Sequence, residues 1–201
     1  LLSCQNIDIN HLGFFINHLN TLEFTALHLA IFENKTSKFE IISSHENVDI
    51  NSTIKTEKTI DFCRIIPTLG LAILLDNIKI VQSLVLHPKI DINGKIYYKY
   101  NNYEESEFTT ILHFAFQSKN RCCKNDEIIL ILLTNSKIDV NLTSYIKRSD
   151  LFPYEEIINT TLQLAIKYGN IDIIIFLLNK PEIDLNQKSK TITFLDENVL
   201  E

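Results

Sequence analysis

Ile90-Asp91-Ile92-Asn93 decides how this chain is read, because the same phrase returns as Ile7-Asp8-Ile9-Asn10, Val48-Asp49-Ile50-Asn51, Ile138-Asp139-Val140-Asn141 and Ile183-Asp184-Leu185-Asn186. The closing asparagines are 41, 42, 48 and 45 residues apart. That period is too regular for chance and too long for one helix or strand, so the unit is supersecondary. Asp-x-Asn also suits a turn, since short polar side chains satisfy the neighbouring backbone.

A second phrase precedes four of the five asparagines, all but Asn10. It reads Thr25-Ala26-Leu27-His28-Leu29-Ala30, Pro67-Thr68-Leu69-Gly70-Leu71-Ala72, Thr110-Ile111-Leu112-His113-Phe114-Ala115 and Thr160-Thr161-Leu162-Gln163-Leu164-Ala165. Its alanine lies 21 residues before the asparagine in three units and 26 before it in the third. Threonine or proline opens a helix, and Leu27, Ala30 and Ile31 recur on one face. The apolar runs around Ile80 to Leu86, Ile128 to Leu133 and Ile173 to Leu178 then predict a second, more buried helix in each unit. Pro88 and Pro181 follow where no helix continues, and Gly169-Asn170 is expected to end the fourth unit's first helix. Two short helices cannot close a core alone, so neighbouring units must stack.

These phrases resemble the ankyrin repeat, in a variant with a longer helix-ending loop associated with protist arrays. The resemblance covers residues 4–186 and implies a mainly α solenoid of helix-turn-helix units with projecting β-hairpin fingers. It also implies that Thr25, His28, Thr110, His113 and Thr160 tie the turns together. Gly70 and Gln163 depart from the histidine, which leaves that hydrogen bond open in the second and fourth units. The expected division is one domain: a partial unit over 1–24, units over 25–66, 67–109, 110–159 and 160–186, and a partial hairpin over 187–201.

The connectors are long. From each asparagine to the next opening residue takes 15, 16, 17 and 19 residues, about double what the resemblance leads one to expect. Residues 94–109 are predicted to form a hairpin turning at Asn101-Asn102, with Tyr100 opposite Tyr103 and Lys99 opposite Glu104. Six of the seven tyrosines lie in the second and third connectors. Tyrosine buries large area at little entropic cost, so these residues read as a recognition surface or as packing between fingers.

The expected contact residues on the fingers are Tyr98, Tyr100, Tyr103, Glu104, Tyr145, Lys147, Arg148 and Tyr154. By the resemblance, the first helices add Phe32, Glu33, Leu74, Leu75, Gln117, Ser118, Lys167 and Tyr168. The function expected from this surface is non-catalytic binding of a protein partner. Two alternatives stand beside it: the recognition segment of a larger kinase or ligase, and a structural spacer.

Composition bounds the other classes. A formal charge of −6 speaks against a generic grip on nucleic acid or anionic lipid. Four glycines leave no phosphate-cradling loop. Histidines and cysteines show no metal-ligand spacing, and Glu104-Glu105 and Glu155-Glu156 are neighbours that a strand turns to opposite faces. No enzyme activity, cofactor, metal or small-molecule substrate is expected. Cys4, Cys63, Cys122 and Cys123 read as reduced thiols, with a redox role for the adjacent pair as the alternative. The longest apolar run is too short for a membrane span, and a cytoplasmic location is expected.

Overall fold

The computed structural model describes residues 8–17, 20–59, 62–100, 107–118, 125–148, 154–168 and 171–194. Two hairpin strands and two helices alternate along the chain. In order they are β1 (Gly13–Asn17), β2 (Asn20–Phe24), α1 (Ala26–Phe32), α2 (Thr36–Ser43), β3 (Thr53–Thr59) and β4 (Phe62–Pro67). Then come α3 (Thr68–Leu74), α4 (Ile78–Leu86), β5 (Lys95–Tyr100), β6 (Glu107–Thr110), α5 (Ile111–Ser118) and α6 (Asn125–Thr134). The last are β7 (Thr143–Arg148), β8 (Tyr154–Thr160), α7 (Thr161–Tyr168), α8 (Ile171–Leu178) and β9 (Lys190–Phe194).

The expected mainly α solenoid with projecting β-hairpin fingers is corrected by the sheet. All nine strands join one antiparallel sheet in the order β1 to β9, so the fold is α/β. Hairpins of this length expose rows of unpaired backbone groups along their edges, and the adjacent hairpin satisfies them. Between hairpins, β4 pairs with β5 from Phe62↔Tyr100 to Ile65↔Tyr97, and β8 with β9 from Tyr154↔Phe194 to Ile158↔Lys190. The junctions β2 to β3 and β6 to β7 meet at Glu23↔Lys55 and Phe108↔Tyr145.

The second hairpin forms, in a different register from the one expected. Tyr98 pairs with Glu107, whereas a two-residue turn at Asn101-Asn102 would set it opposite Glu105. The offset of two keeps every side chain on its face. The turn itself, with the Tyr100–Tyr103 and Lys99–Glu104 pairings, lies outside the described residues, as do Gly169-Asn170 and the pair Cys122-Cys123.

Local chemistry explains why the phrases recur. Asp8, Asp49, Asp91, Asp139 and Asp184 each accept, through Oδ1, the backbone N–H two residues on, at 2.9–3.1 Å. The asparagines then bridge to the following unit. Nδ2 of Asn10, Asn51, Asn93 and Asn141 donates to the carbonyls of Asn47, Lys89, Lys137 and Glu182 at 2.8, 2.8, 2.9 and 2.6 Å. Their Oδ1 atoms accept from the N–H of Asp49, Asp91, Asp139 and Asp184 at 2.8–2.9 Å. Each amide thus pairs as a peptide group would. The apolar residues of the interior phrases, Val48, Ile50, Ile90, Ile92, Ile138 and Val140, are buried.

The core runs without a break through the helix pairs and the sheet's base, from Leu27 and Phe39 to Leu164 and Leu177. Where a helix pair must turn sharply, Asn34 and Asp76 adopt φ of 52° and 54°. Asn and Asp tolerate this left-handed geometry better than other side chains that carry a Cβ.

Candidate protein-binding cleft

The threonine–histidine phrase positions the helix row against the sheet. Thr25 caps α1: its Oγ1 accepts from the His28 N–H, and its own N–H donates to His28 Nδ1 at 3.1 Å. Nδ1 is therefore unprotonated, and Nε2 carries the hydrogen that it donates to the Ser52 carbonyl at 3.3 Å. His113 repeats the arrangement with Thr110 Oγ1 at 2.7 Å and the Asn159 carbonyl at 3.1 Å. Each ring joins the start of its helix to the base of the next connector, at its first residue for His28 and at its last for His113. Burial pushes both imidazoles down to about 4, against the smaller opposing pull of those carbonyls.

The other two units solve the same problem differently. A Cβ at Gly70 would lie 3.0 Å from Ile66 Cγ2 and Ile96 Cδ1, so an imidazole has no room there. Thr68 Oγ1 donates instead to the Ser52 carbonyl at 2.9 Å. Gln163 Oε1 accepts from the Thr160 N–H at 3.1 Å, and the Gln163 N–H donates to Thr160 Oγ1 at 3.3 Å. That reproduces the cap.

Strand alternation divides the sheet into two faces. One carries Ile54, Ile66 and Ile96, all fully buried, and meets the row formed by α1, α3, α5 and α7. Farther out on this face Arg64 sits opposite Tyr98, which sits opposite Glu107. The Arg64 guanidinium lies 5.1 Å from the centre of the Tyr98 ring. Burial raises the Tyr98 phenol above its ordinary range; Arg64 opposes the rise and Glu107 adds to it.

At the third hairpin the same face opens into a cleft. Ile146, Ile157 and Asn159 from the sheet and Gln117, Leu164, Lys167 and Tyr168 from α5 and α7 enclose a cavity of about 290 Å³. Tyr168 is held by near-parallel stacking on the buried Phe116, centroids 6.4 Å apart. Lys167 is exposed beside it. Aliphatic walls, an aromatic ring, an amide and a cation can bind a side chain of a partner and orient it. A larger hollow of about 820 Å³ lies between the α6 and α8 ends, but Asp139 and Asn141 on its wall already serve the joint between units.

The structure brings three expected contact residues together in this cleft: Gln117, Lys167 and Tyr168. Phe32 and Leu75 stand exposed toward the ends of the matching helices, with Phe32 edge-on to Phe24 at 6.4 Å. Glu33 is exposed and pairs with Lys38 at 3.4 Å; Leu74 packs on the core. Tyr98 lies on the helix-side face and Tyr145 on the opposite one, 6.4 Å from Phe108. Tyr100 closes β5, Lys147 and Arg148 close β7 opposite Glu156 and Glu155, and Tyr154 opens β8. Tyr103 and Glu104 lie outside the described residues, as does the side chain of Ser118.

Sequence reasoning missed Ile146, Ile157 and Asn159 in the cleft, Arg64 beside Tyr98 on the same face, and Tyr97 and Phe108 on the opposite face. The period of two along Lys95-Ile96-Tyr97-Tyr98 was the available signal, since it sends the adjacent tyrosines to different faces. Among the described residues no three His, Cys, Asp or Glu side chains are grouped to hold a metal ion. No described helix is long and apolar enough to cross a membrane.

Compared with known proteins, the chain matches no family model and no curated protein. The resemblance to the ankyrin repeat is therefore withdrawn together with the solenoid architecture it implied: cap and turn chemistry recur, while the assembly they build is a helix row on one continuous sheet.

Proposed function

We propose that the chain is a non-catalytic binding module that holds a protein partner in the cleft between the sheet and the row of first helices. The observation that carries this reading is the meeting of Gln117, Lys167 and Tyr168 with Ile146, Ile157 and Asn159 around one open cavity. Two secondary-structure layers supply its walls, so the partner's contact residue is oriented from both sides. Exposed Phe32 and Leu75 extend an apolar track along the helix row away from it.

The test is site-specific photo-crosslinking. A benzoyl-phenylalanine at position 117 should give one dominant adduct in a lysate, and Lys167→Glu with Tyr168→Ala should abolish it in a chain that keeps its circular dichroism. Equal adduct yield from the folded double variant would refute the cleft as the binding site.

A further inference from the structure

The opposite face of the sheet carries a second surface, distinct from the cleft. Cross-strand pairing places Ile65, Tyr97, Phe108, Tyr145 and Ile158 in one unbroken row over β4 to β8. Ring centroids are 6.5 Å apart for Tyr97–Phe108 and 6.4 Å for Phe108–Tyr145. This row is open: Tyr97 is 37% exposed and the other four are partly exposed, while Ile66, Ile96, Thr109 and Ser144, next to them on the helix-side face, are fully buried. Half-exposed aromatic rings side by side are unusual without a partner, since a lone surface tyrosine needs no explanation but a contiguous stripe does.

The charge around the stripe selects the occupant. Lys95 lies over the Phe108 ring at 4.1 Å, and the row ends on exposed Lys55 at one side and exposed Lys190 at the other. Glu23 stands directly opposite Lys55 across the β2–β3 junction and offsets its charge. Lys95 and Lys190 thus leave the border net cationic in a chain of net charge −6. A second copy would bring lysine against lysine and meet overall repulsion, so self-pairing is disfavoured. The six strands from β4 to β9 at the usual sheet spacing span about 24 Å, the reach of about seven residues of extended chain.

We infer that this face binds an extended acidic segment of a protein partner, whose alternate apolar side chains rest on Tyr97, Phe108 and Tyr145 while its carboxylates meet Lys95 and Lys190. Aromatic contacts supply the affinity and the lysines the direction and on-rate. The site does not depend on the cleft.

Fluorescence anisotropy with a labelled short peptide alternating Glu with Leu and Phe tests it, using a Lys-for-Glu version and a Ser-for-Leu/Phe version as controls. The expected result is saturable, salt-sensitive binding of the first peptide alone. Tyr97→Ala/Tyr145→Ala and, separately, Lys95→Glu/Lys190→Glu should each weaken it about tenfold, and Lys167→Glu in the cleft should leave it unchanged. The two lysines are exposed, so their variant carries the test if the tyrosine variant does not fold. Absence of binding, equal binding of the Lys version, or loss of binding on Lys167→Glu alone would overturn the proposal. So would anionic phosphatidylserine vesicles that compete with the peptide for the same residues.

Discussion

The interior pair α3/α4 and the last pair α7/α8 share a sequence pattern and differ in what covers them. Aligning Asn93 with Asn186 matches Ile73, fully buried, with Ile166 at 60% exposure, and Val85 at 4% with Leu178 at 50%. Ile92 at 2% likewise matches Leu185 at 60%. The residue type is the same or nearly so in each match. A neighbouring pair, present beyond α4 and not found beyond α8 among the described residues, makes the difference. Burial here is therefore a property of position in the row, set by long-range stacking, and identical side chains carry very different energies.

The largest expected effect breaks that equivalence directly. Ile73→Ala should cost about 3 kcal/mol, the usual loss for a fully buried isoleucine left with a cavity, while Ile166→Ala should cost well under about 1 kcal/mol. Urea denaturation of both variants measures the gap. Equal costs would mean that the outer face of α7/α8 is covered in solution.

The histidines offer the next contrast, between units that use an imidazole and units that do not. His28 and His113 titrate at about 4 when folded and near 6.5 when unfolded. The unfolded chain thus binds protons first as pH falls. Stability from the neutral rings is complete above pH 6.5 and is lost as pH drops toward 4, by up to about 2 kcal/mol per histidine at pH 5. His113→Gln, imitating Gln163, should flatten the pH dependence by one histidine's share while lowering stability at pH 7. A slope unchanged by that substitution would show that His113 is not the titrating group.

Much of this was legible from residues alone, and its limit is instructive. Thr25 and His28 announced a helix start because a cap is local chemistry, and the Asp-x-Asn turns were readable for the same reason. Pairing of β4 with β5 was not, since nothing within either hairpin says that a neighbour will come alongside; packing between fingers was one reading of the tyrosines, and backbone pairing into one sheet was part of neither. Even inside the second hairpin the Asn101-Asn102 signal set the wrong register by two. Of the cleft, Gln117, Lys167 and Tyr168 were named from the repeat register that the resemblance supplied, whereas Ile146, Ile157 and Asn159 join them through a sheet that no local pattern announced.

The smallest effect sharpens the comparison at single-atom level, through the asparagine bridges. Asn93 joins two units with both atoms of its amide: Nδ2 to the Lys137 carbonyl at 2.9 Å and Oδ1 from the Asp139 N–H at 2.9 Å. Both bonds are partly exposed to water, which can replace them, so removing them with Asn93→Ala should cost about 1 kcal/mol. Asn93→Asp keeps the acceptor, loses the donor and sets a carboxylate against a carbonyl, so it should cost at least as much despite retaining one bond. Asn186 is the control: its backbone turn with Asp184 is intact at 2.9 Å, yet no following unit among the described residues receives its side chain. Asn186→Ala should therefore change the urea midpoint by less than the error of the measurement. If it destabilises as much as Asn93→Ala, the amide acts within its own loop, and the bridging role assigned to the whole series fails.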